Sequence, residues 1–128
     1  MNKFTKGILS LGLTLCILAG AAGTALADTK TGALGGKSIR GTSTISKYSA
    51  YVSTSFTGSG TVSYSTTYKY VKSSNLSTGS MSRSNGGYTS SVSTTLNAPS
   101  GYKSVCINSS HDVSASGQSW HATTSADY

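Results

Sequence analysis

From Thr44 onward, apolar or aromatic residues recur at every second position with Ser and Thr between them. Tyr48, Ala50, Val52, Thr54 and Phe56 fall on one face of an extended chain, with Ser49, Tyr51, Ser53 and Ser55 on the other. Thr57-Gly58-Ser59-Gly60 interrupts the alternation as a turn. Val62, Tyr64, Thr66, Tyr68 and Tyr70 then share a face opposite Ser63, Ser65, Thr67 and Lys69. Two alternating runs around a Gly-containing turn predict a β-hairpin. Pairing Phe56 with Val62, Val52 with Thr66 and Tyr48 with Tyr70 puts the apolar members on one face. A slip of one residue would turn one strand's apolar set to solvent.

The alternation continues, with breaks, to the end of the chain. Leu76 to Arg83 is a weaker element, and Asn85-Gly86-Gly87 reads as a turn. Tyr88, Ser90, Val92, Thr94 and Leu96 alternate as a strand that Asn97-Ala98-Pro99-Ser100-Gly101 ends. Val105, Ile107, Ser109, His111 and Val113 form the next face. A loop at 114–119 leads to Trp120, Ala122, Thr124, Ala126 and Tyr128. If Trp120 packs on the core with Val113, then Ile107 opposes Ala126, His111 opposes Ala122 and Asp112 opposes His121.

No window carries a helical apolar stripe with caps. The prediction is an all-β fold, a small antiparallel β-sandwich or small barrel of five to six strands. Residues 43–128 form its single domain. Residues 28–42, with Gly32, Gly35, Gly36 and Gly41 and no sustained period, read as a flexible leader.

The first 27 residues have the pattern of an export signal. Lys3 and Lys6 precede an apolar stretch from Ile8 to Leu18, and Ala25-Leu26-Ala27 offers the small-x-small cleavage pattern. The apolar run is too short and too glycine-broken for a spanning helix of ~20 residues. The expected product begins at Asp28 and is secreted. Cys16 has Leu15 where a lipidated cysteine needs a small residue, so it reads as one more apolar residue of the signal.

Composition narrows the picture further. Ser and Thr fill 41 of the 101 positions from Asp28 to Tyr128, so the core must be thin. Over the same span eight Lys and Arg oppose three Asp, 8 − 3 = +5, and Glu is absent. Such a balance draws an exported protein to anionic surfaces: wall polymers, acidic polysaccharides or anionic lipids. The cations are scattered along the sequence rather than gathered in a stripe, so nucleic acid is not an expected partner. Cys106, between Val105 and Ile107, reads as a buried small apolar residue.

Catalytic constellations are weak. Cys106 and His111 are five apart and face opposite sides of a regular strand. The proposed register puts His111 and His121 on different faces, so they do not share a metal, and a four-ligand zinc set is not evident. No G-x-S-x-G elbow occurs. The chain is therefore expected to act without catalysis and without a cofactor.

Three functions fit these observations. The first is a secreted protein that binds anionic envelope surfaces through Tyr51, Tyr102, Lys47, Lys69, Lys72, Arg83 and Lys103. The second is an antimicrobial, bacteriocin-like protein. Its hairpin, with Tyr48, Val52, Phe56, Val62, Tyr64, Tyr68 and Tyr70 on one face, has runs near the ~9–11 residues of a transmembrane strand. The third is a self-assembling extracellular matrix protein built on weakly specified strand edges.

Overall fold

A computed structural model describes residues 26–128, and the export-signal and Cys16 readings lie almost wholly outside them. Eight strands follow one another: β1 (Ala27–Leu34), β2 (Lys37–Ser46), β3 (Ser49–Phe56), β4 (Thr61–Lys72), β5 (Thr78–Tyr88), β6 (Ser91–Asn97), β7 (Tyr102–Ala115) and β8 (Gln118–Asp127). They form two four-stranded antiparallel sheets, β1-β2-β3-β6 and β5-β4-β7-β8, packed as a sandwich. The expected all-β sandwich is present, with eight strands rather than five or six.

The two extra strands come mainly from the expected leader. Residues 28–42 lie in β1 and β2 apart from the turn between them. Gly35 and Gly36 both have positive φ (55° and 76°), which a two-residue turn between twisted strands requires. The glycines that read as flexibility are the hinge of a hairpin. Asn85-Gly86-Gly87 is the converse case, because it lies inside β5 rather than in a turn. Gly86 opposes Ser63, and a Cβ on it would come 2.7 Å from that serine's Cβ. There the glycine permits close approach.

The Tyr48–Tyr70 hairpin does not form. Phe56 pairs with Ile39 of β2, and β3 is flanked by β2 and β6. β4 belongs to the opposite sheet, between β5 and β7. The turn after Phe56 carries the chain across the sandwich instead of back along β3. The expected faces are nevertheless right from Ala50 to Phe56 and from Val62 to Tyr68, while Tyr48 is exposed in the β2–β3 turn. Ala50, Val52, Thr54 and Phe56 are buried, and so are Val62, Tyr64, Thr66 and Tyr68 on the other sheet. They meet across the core rather than side by side.

The β7–β8 hairpin has the expected register: Val113 opposes Trp120, His111 opposes Ala122, Asp112 opposes His121 and Ile107 opposes Ala126. Its tight turn is Ser116-Gly117, both with positive φ. One correction applies to β7. The β4–β7 register jumps so that Lys69 faces Cys106 and Tyr70 faces Ser104, leaving Val105 as a bulge residue. Ser104 takes the buried place expected of Val105, and its hydroxyl is 2.7 Å from that of Tyr68.

Two apolar clusters fill the core. One gathers Ile45, Ala50, Val52, Tyr64, Tyr68, Leu96, Ile107 and Ala126. The other holds Ile39, Phe56, Val62 and Val113, with Trp120 against it. Buried with them is a polar chain that joins the sheets. Thr54 Oγ1 lies 2.7 Å from His111 Nδ1, and His111 Nε2 lies 2.8 Å from Thr124 Oγ1. Thr124 is 2.6 Å from Ser43, which donates to Ser109 at 2.8 Å. Ser109 is 2.8 Å from Thr66, which donates to the Asn108 carbonyl.

Hydrogen bookkeeping orients this whole chain. A hydroxyl carries one hydrogen. Ser43 gives its hydrogen to Ser109, so Thr124 must donate to Ser43. Thr124 then accepts from His111 Nε2–H, which leaves Nδ1 bare to accept from Thr54. Likewise Thr66 donates to the carbonyl, so Ser109 donates to Thr66. Each hydroxyl of this chain has a partner, as a low-dielectric interior requires.

One open side of the sandwich is sealed between β1 and β8. The Asp28 carboxylate accepts the Ser125 N–H at 3.0 Å and an ammonium hydrogen of Lys30. Burial pushes the Asp28 pKa up, but these donors outweigh it and hold the carboxyl below its ordinary value. The Trp120 indole lies against the bare backbone of Gly32, where any Cβ would overlap the ring.

Candidate functional site

The sandwich scaffold brings three connections to one end: the β2–β3 turn at Lys47-Tyr48, the β4–β5 loop at 73–77 and the β6–β7 loop at 98–101. Backbone bonds lock them together. Ser104 N–H donates to the Lys47 carbonyl, Ala98 N–H to the Tyr48 carbonyl, and Ser73 N–H to the Gly101 carbonyl. Tyr102 N–H donates to the Pro99 carbonyl, closing the 98–101 loop, and Gly101 takes the positive φ this turn needs.

Between these connections lies a groove of about 440 Å³ lined by Tyr48, Ser73, Ala98, Pro99, Ser100, Gly101 and Tyr102. Lysines neighbour three lining residues in sequence: Lys47 precedes Tyr48 in the β2–β3 turn, Lys72 ends β4 just before Ser73, and Lys103 follows Tyr102 in β7 on the opposite parity of that strand. The Lys47 ammonium sits 5.2 Å from the Tyr48 ring centroid, and that of Lys72 sits 5.9 Å from the Tyr102 centroid. Contacts of this kind contribute about 0.5–1 kcal/mol at exposed sites and hold the charges near the rings. Tyr70 supports Tyr102 edge-on, with centroids 5.2 Å apart. Tyr48 itself is 57% exposed.

No aspartate lines this groove. Asp28 is engaged with Lys30, and Asp112 with His121. Positive charge and aromatic surface thus meet in one concave place, without an adjacent carboxylate among the lining residues to neutralise it.

Three of the seven residues proposed for surface binding meet here: Tyr102 lines the groove, and Lys47 and Lys72 lie against the Tyr48 and Tyr102 rings, whereas Lys103 follows Tyr102 in β7 on the opposite parity of the strand. Tyr51 is elsewhere, on the outer face of β3 and 39% exposed. Lys69 faces outward from β4 opposite Cys106 and Ser80, and Arg83 lies on the exposed edge strand β5. Sequence reasoning missed Tyr48 and the Pro99–Gly101 loop as binding surface. The one available signal was the change of parity between Ile45 and Tyr48, which an unbroken strand would not show and which marks the turn at Lys47-Tyr48.

The residues assigned to a membrane hairpin are used otherwise. Val52, Phe56, Val62, Tyr64 and Tyr68 are buried in the core, Tyr70 supports Tyr102, and Tyr48 lines the groove. No single hairpin presents them, because β3 and β4 belong to different sheets.

The histidines occupy opposite environments. His111 is fully buried, and desolvation lowers its pKa to about 4, only partly opposed by Asp112 and Asp28. The side chain is a neutral structural link at neutral pH. His121 Nδ1 lies 2.7 Å from Asp112 Oδ1 on the outer face of the second sheet, with both side chains more than half exposed. That is a surface pair worth ~0–1 kcal/mol. Cys106 is fully buried, on the strand parity opposite to His111, so no Cys-His-Asp grouping assembles.

No protein-family model matches the sequence, and no curated protein matches it.

Proposed function

We propose that this protein is an exported, non-enzymatic binder of anionic polymers of the cell envelope, and that the tyrosine–lysine groove is its binding surface. The observation that carries the reading is the pair of ammonium groups set against the two groove tyrosines, Lys47 at 5.2 Å from the Tyr48 ring centroid and Lys72 at 5.9 Å from that of Tyr102. Aromatic rings offer flat apolar faces and hydroxyls to a polymer unit, while ammonium groups meet its charges. The surplus of eight cations over three aspartates from Asp28 onward adds long-range attraction.

The test is co-sedimentation with purified Gram-positive cell walls. The wild-type protein should pellet with walls and be released by salt, since the contacts are exposed and screened. Tyr48→Ala with Tyr102→Ala should weaken binding about tenfold, the effect of losing ~1.4 kcal/mol of ring contact. Tyr51→Ala should bind like wild type. Equal loss from Tyr51→Ala, or no loss from the groove pair, would remove the groove from the account.

A further inference from the structure

We infer that the end of the sandwich carrying the Lys47-Tyr48 turn docks on an anionic lipid bilayer, with the Leu76 side chain entering the boundary between headgroups and acyl chains. The inference concerns a surface beyond the groove lining and stands apart from the ligand the groove takes.

Leu76 carries the argument. It lies in the β4–β5 loop, is 74% exposed and has a positive φ of 60°. A leucine in the left-handed region is strained because its Cβ crowds the following carbonyl, and glycine or asparagine adopts that backbone at less cost. The loop nevertheless holds it there. Leu76 N–H donates to the Lys72 carbonyl at 2.8 Å, and Lys72 N–H donates to the Ser77 carbonyl at 2.7 Å. Ser77 N–H donates to the Asn75 side-chain oxygen at 3.0 Å. A strained backbone that presents a bare leucine to water serves neither the turn nor the core. Strain that the surrounding structure maintains points to function, and this leucine gains free energy when an apolar phase receives it.

The surroundings identify that phase. From Asp28 onward the exposed large apolar and aromatic side chains are Tyr48, Tyr51, Leu76, Tyr88 and Tyr128. Tyr48, Leu76 and Tyr128 belong to this end. Tyr128 N–H donates to the carbonyl of Val105, the residue after Ser104, whose own N–H donates to the Lys47 carbonyl. Tyrosines favour the headgroup level of a bilayer, where the ring is apolar and the hydroxyl wet. Lys47 precedes Tyr48, and Lys72 opens the bonded loop that presents Leu76, so positive charge flanks the leucine as an anionic headgroup layer requires. Nearby carboxylates do not cancel it: Asp28 pairs with Lys30, and both Asp127 carboxylate oxygens are buried. The turns of the opposite end, Gly35-Gly36, 57–60, Thr89-Ser90 and Ser116-Gly117, bring glycines and hydroxyls with no projecting leucine. One leucine among tyrosines and lysines is too little apolar surface for the core of a protein interface, but it anchors a charged tip in a headgroup layer.

The test is co-sedimentation of the protein, purified from culture medium, with dye-loaded vesicles of phosphatidylglycerol or phosphatidylcholine at low and high salt. The inference expects phosphatidylglycerol to be bound at least about tenfold tighter, with salt weakening the binding and the dye retained. Leu76→Asn should weaken vesicle binding about tenfold, a difference of about 1.4 kcal/mol. Lys47→Ser with Lys72→Ser should weaken it by at least about tenfold. Leu76→Asn should keep wild-type sedimentation with cell walls and a denaturation midpoint no lower than wild type, because asparagine relieves the strain. Undiminished vesicle binding by Leu76→Asn would overturn the inference, and so would equal binding to phosphatidylcholine. A lower midpoint would overturn it by making the leucine structural, and dye release would overturn it in favour of a pore. Binding to vesicles but not to walls would remove the function proposed above and leave this inference standing; binding to walls alone would do the reverse.

Discussion

Acid should loosen this protein through His111 before it protonates most carboxylates. The imidazole is fully buried and bridges Thr54 of one sheet to Thr124 of the other. Its pKa is lowered from 6.5 to about 4, chiefly by desolvation. The unfolded chain takes up a proton below about pH 6.5 and the folded chain resists until about pH 4. Stability is therefore fully present above 6.5 and drains away as pH falls through this window. A separation of about 2.5 units at 1.36 kcal/mol per unit gives a loss of about 3 kcal/mol, a large part of the ~5–15 kcal/mol stability of a typical domain. Other groups act differently. Asp28 has a lowered pKa, so its contribution is lost only at more acid pH. Asp127 is raised by burial, so its protonation favours the fold and works in the opposite direction. The assay is urea denaturation at about pH 7.5 and about pH 4.5, on wild type and His111→Gln, with Asp127→Asn as a common background. Wild type should lose most of the 3 kcal/mol, about 2.5 kcal/mol, between the two pH values. His111→Gln should be less stable at neutral pH, since Thr54 and Thr124 lose well-placed partners, but nearly flat with pH. Equal slopes for the two proteins would refute the argument.

Two further outcomes follow from the packing. Nitrogen-15 NMR should find His111 as the Nε2–H tautomer at neutral pH, because the donor chain through Thr124, Ser43 and Ser109 admits no other direction; an Nδ1–H signal would break that chain. Gly32→Ala should destabilise by about 1–3 kcal/mol and shift Trp120 fluorescence to the red, since the added methyl displaces the indole from the β1–β8 seam; an unchanged spectrum and midpoint would mean the indole does not seal it.

The two-residue alternation made the faces legible and left the neighbours partly open. Val52 and Phe56 point inward because Ser and Thr fill the positions between them, and that holds whether β3 pairs with β4 or faces it across the core. Nothing in the alternation distinguishes those arrangements, so the hairpin was expected where a crossover occurs. The β7–β8 register was recoverable because Trp120 gives its strand one strongly preferred inward position, and a slip would expose it. The glycines misled in both directions. Gly35-Gly36 forms a turn and Gly86-Gly87 does not, because a glycine allows both a positive φ and a close strand approach. The groove was half legible. Lys47, Lys72 and Tyr102 were candidates by type, but they are scattered from position 47 to 102, and only the fold gathers them.

The central claim is that one end of the sandwich holds the binding surface. Titrating nitrogen-15-labelled protein with a soluble wall teichoic acid fragment tests it most directly. The account predicts amide shifts gathered at Lys47-Tyr48, Lys72-Ser73 and Ser100 to Lys103, with β1 and the Tyr51 face unmoved. Shifts centred on the Tyr51 face, or none at all at saturating polymer, would contradict it.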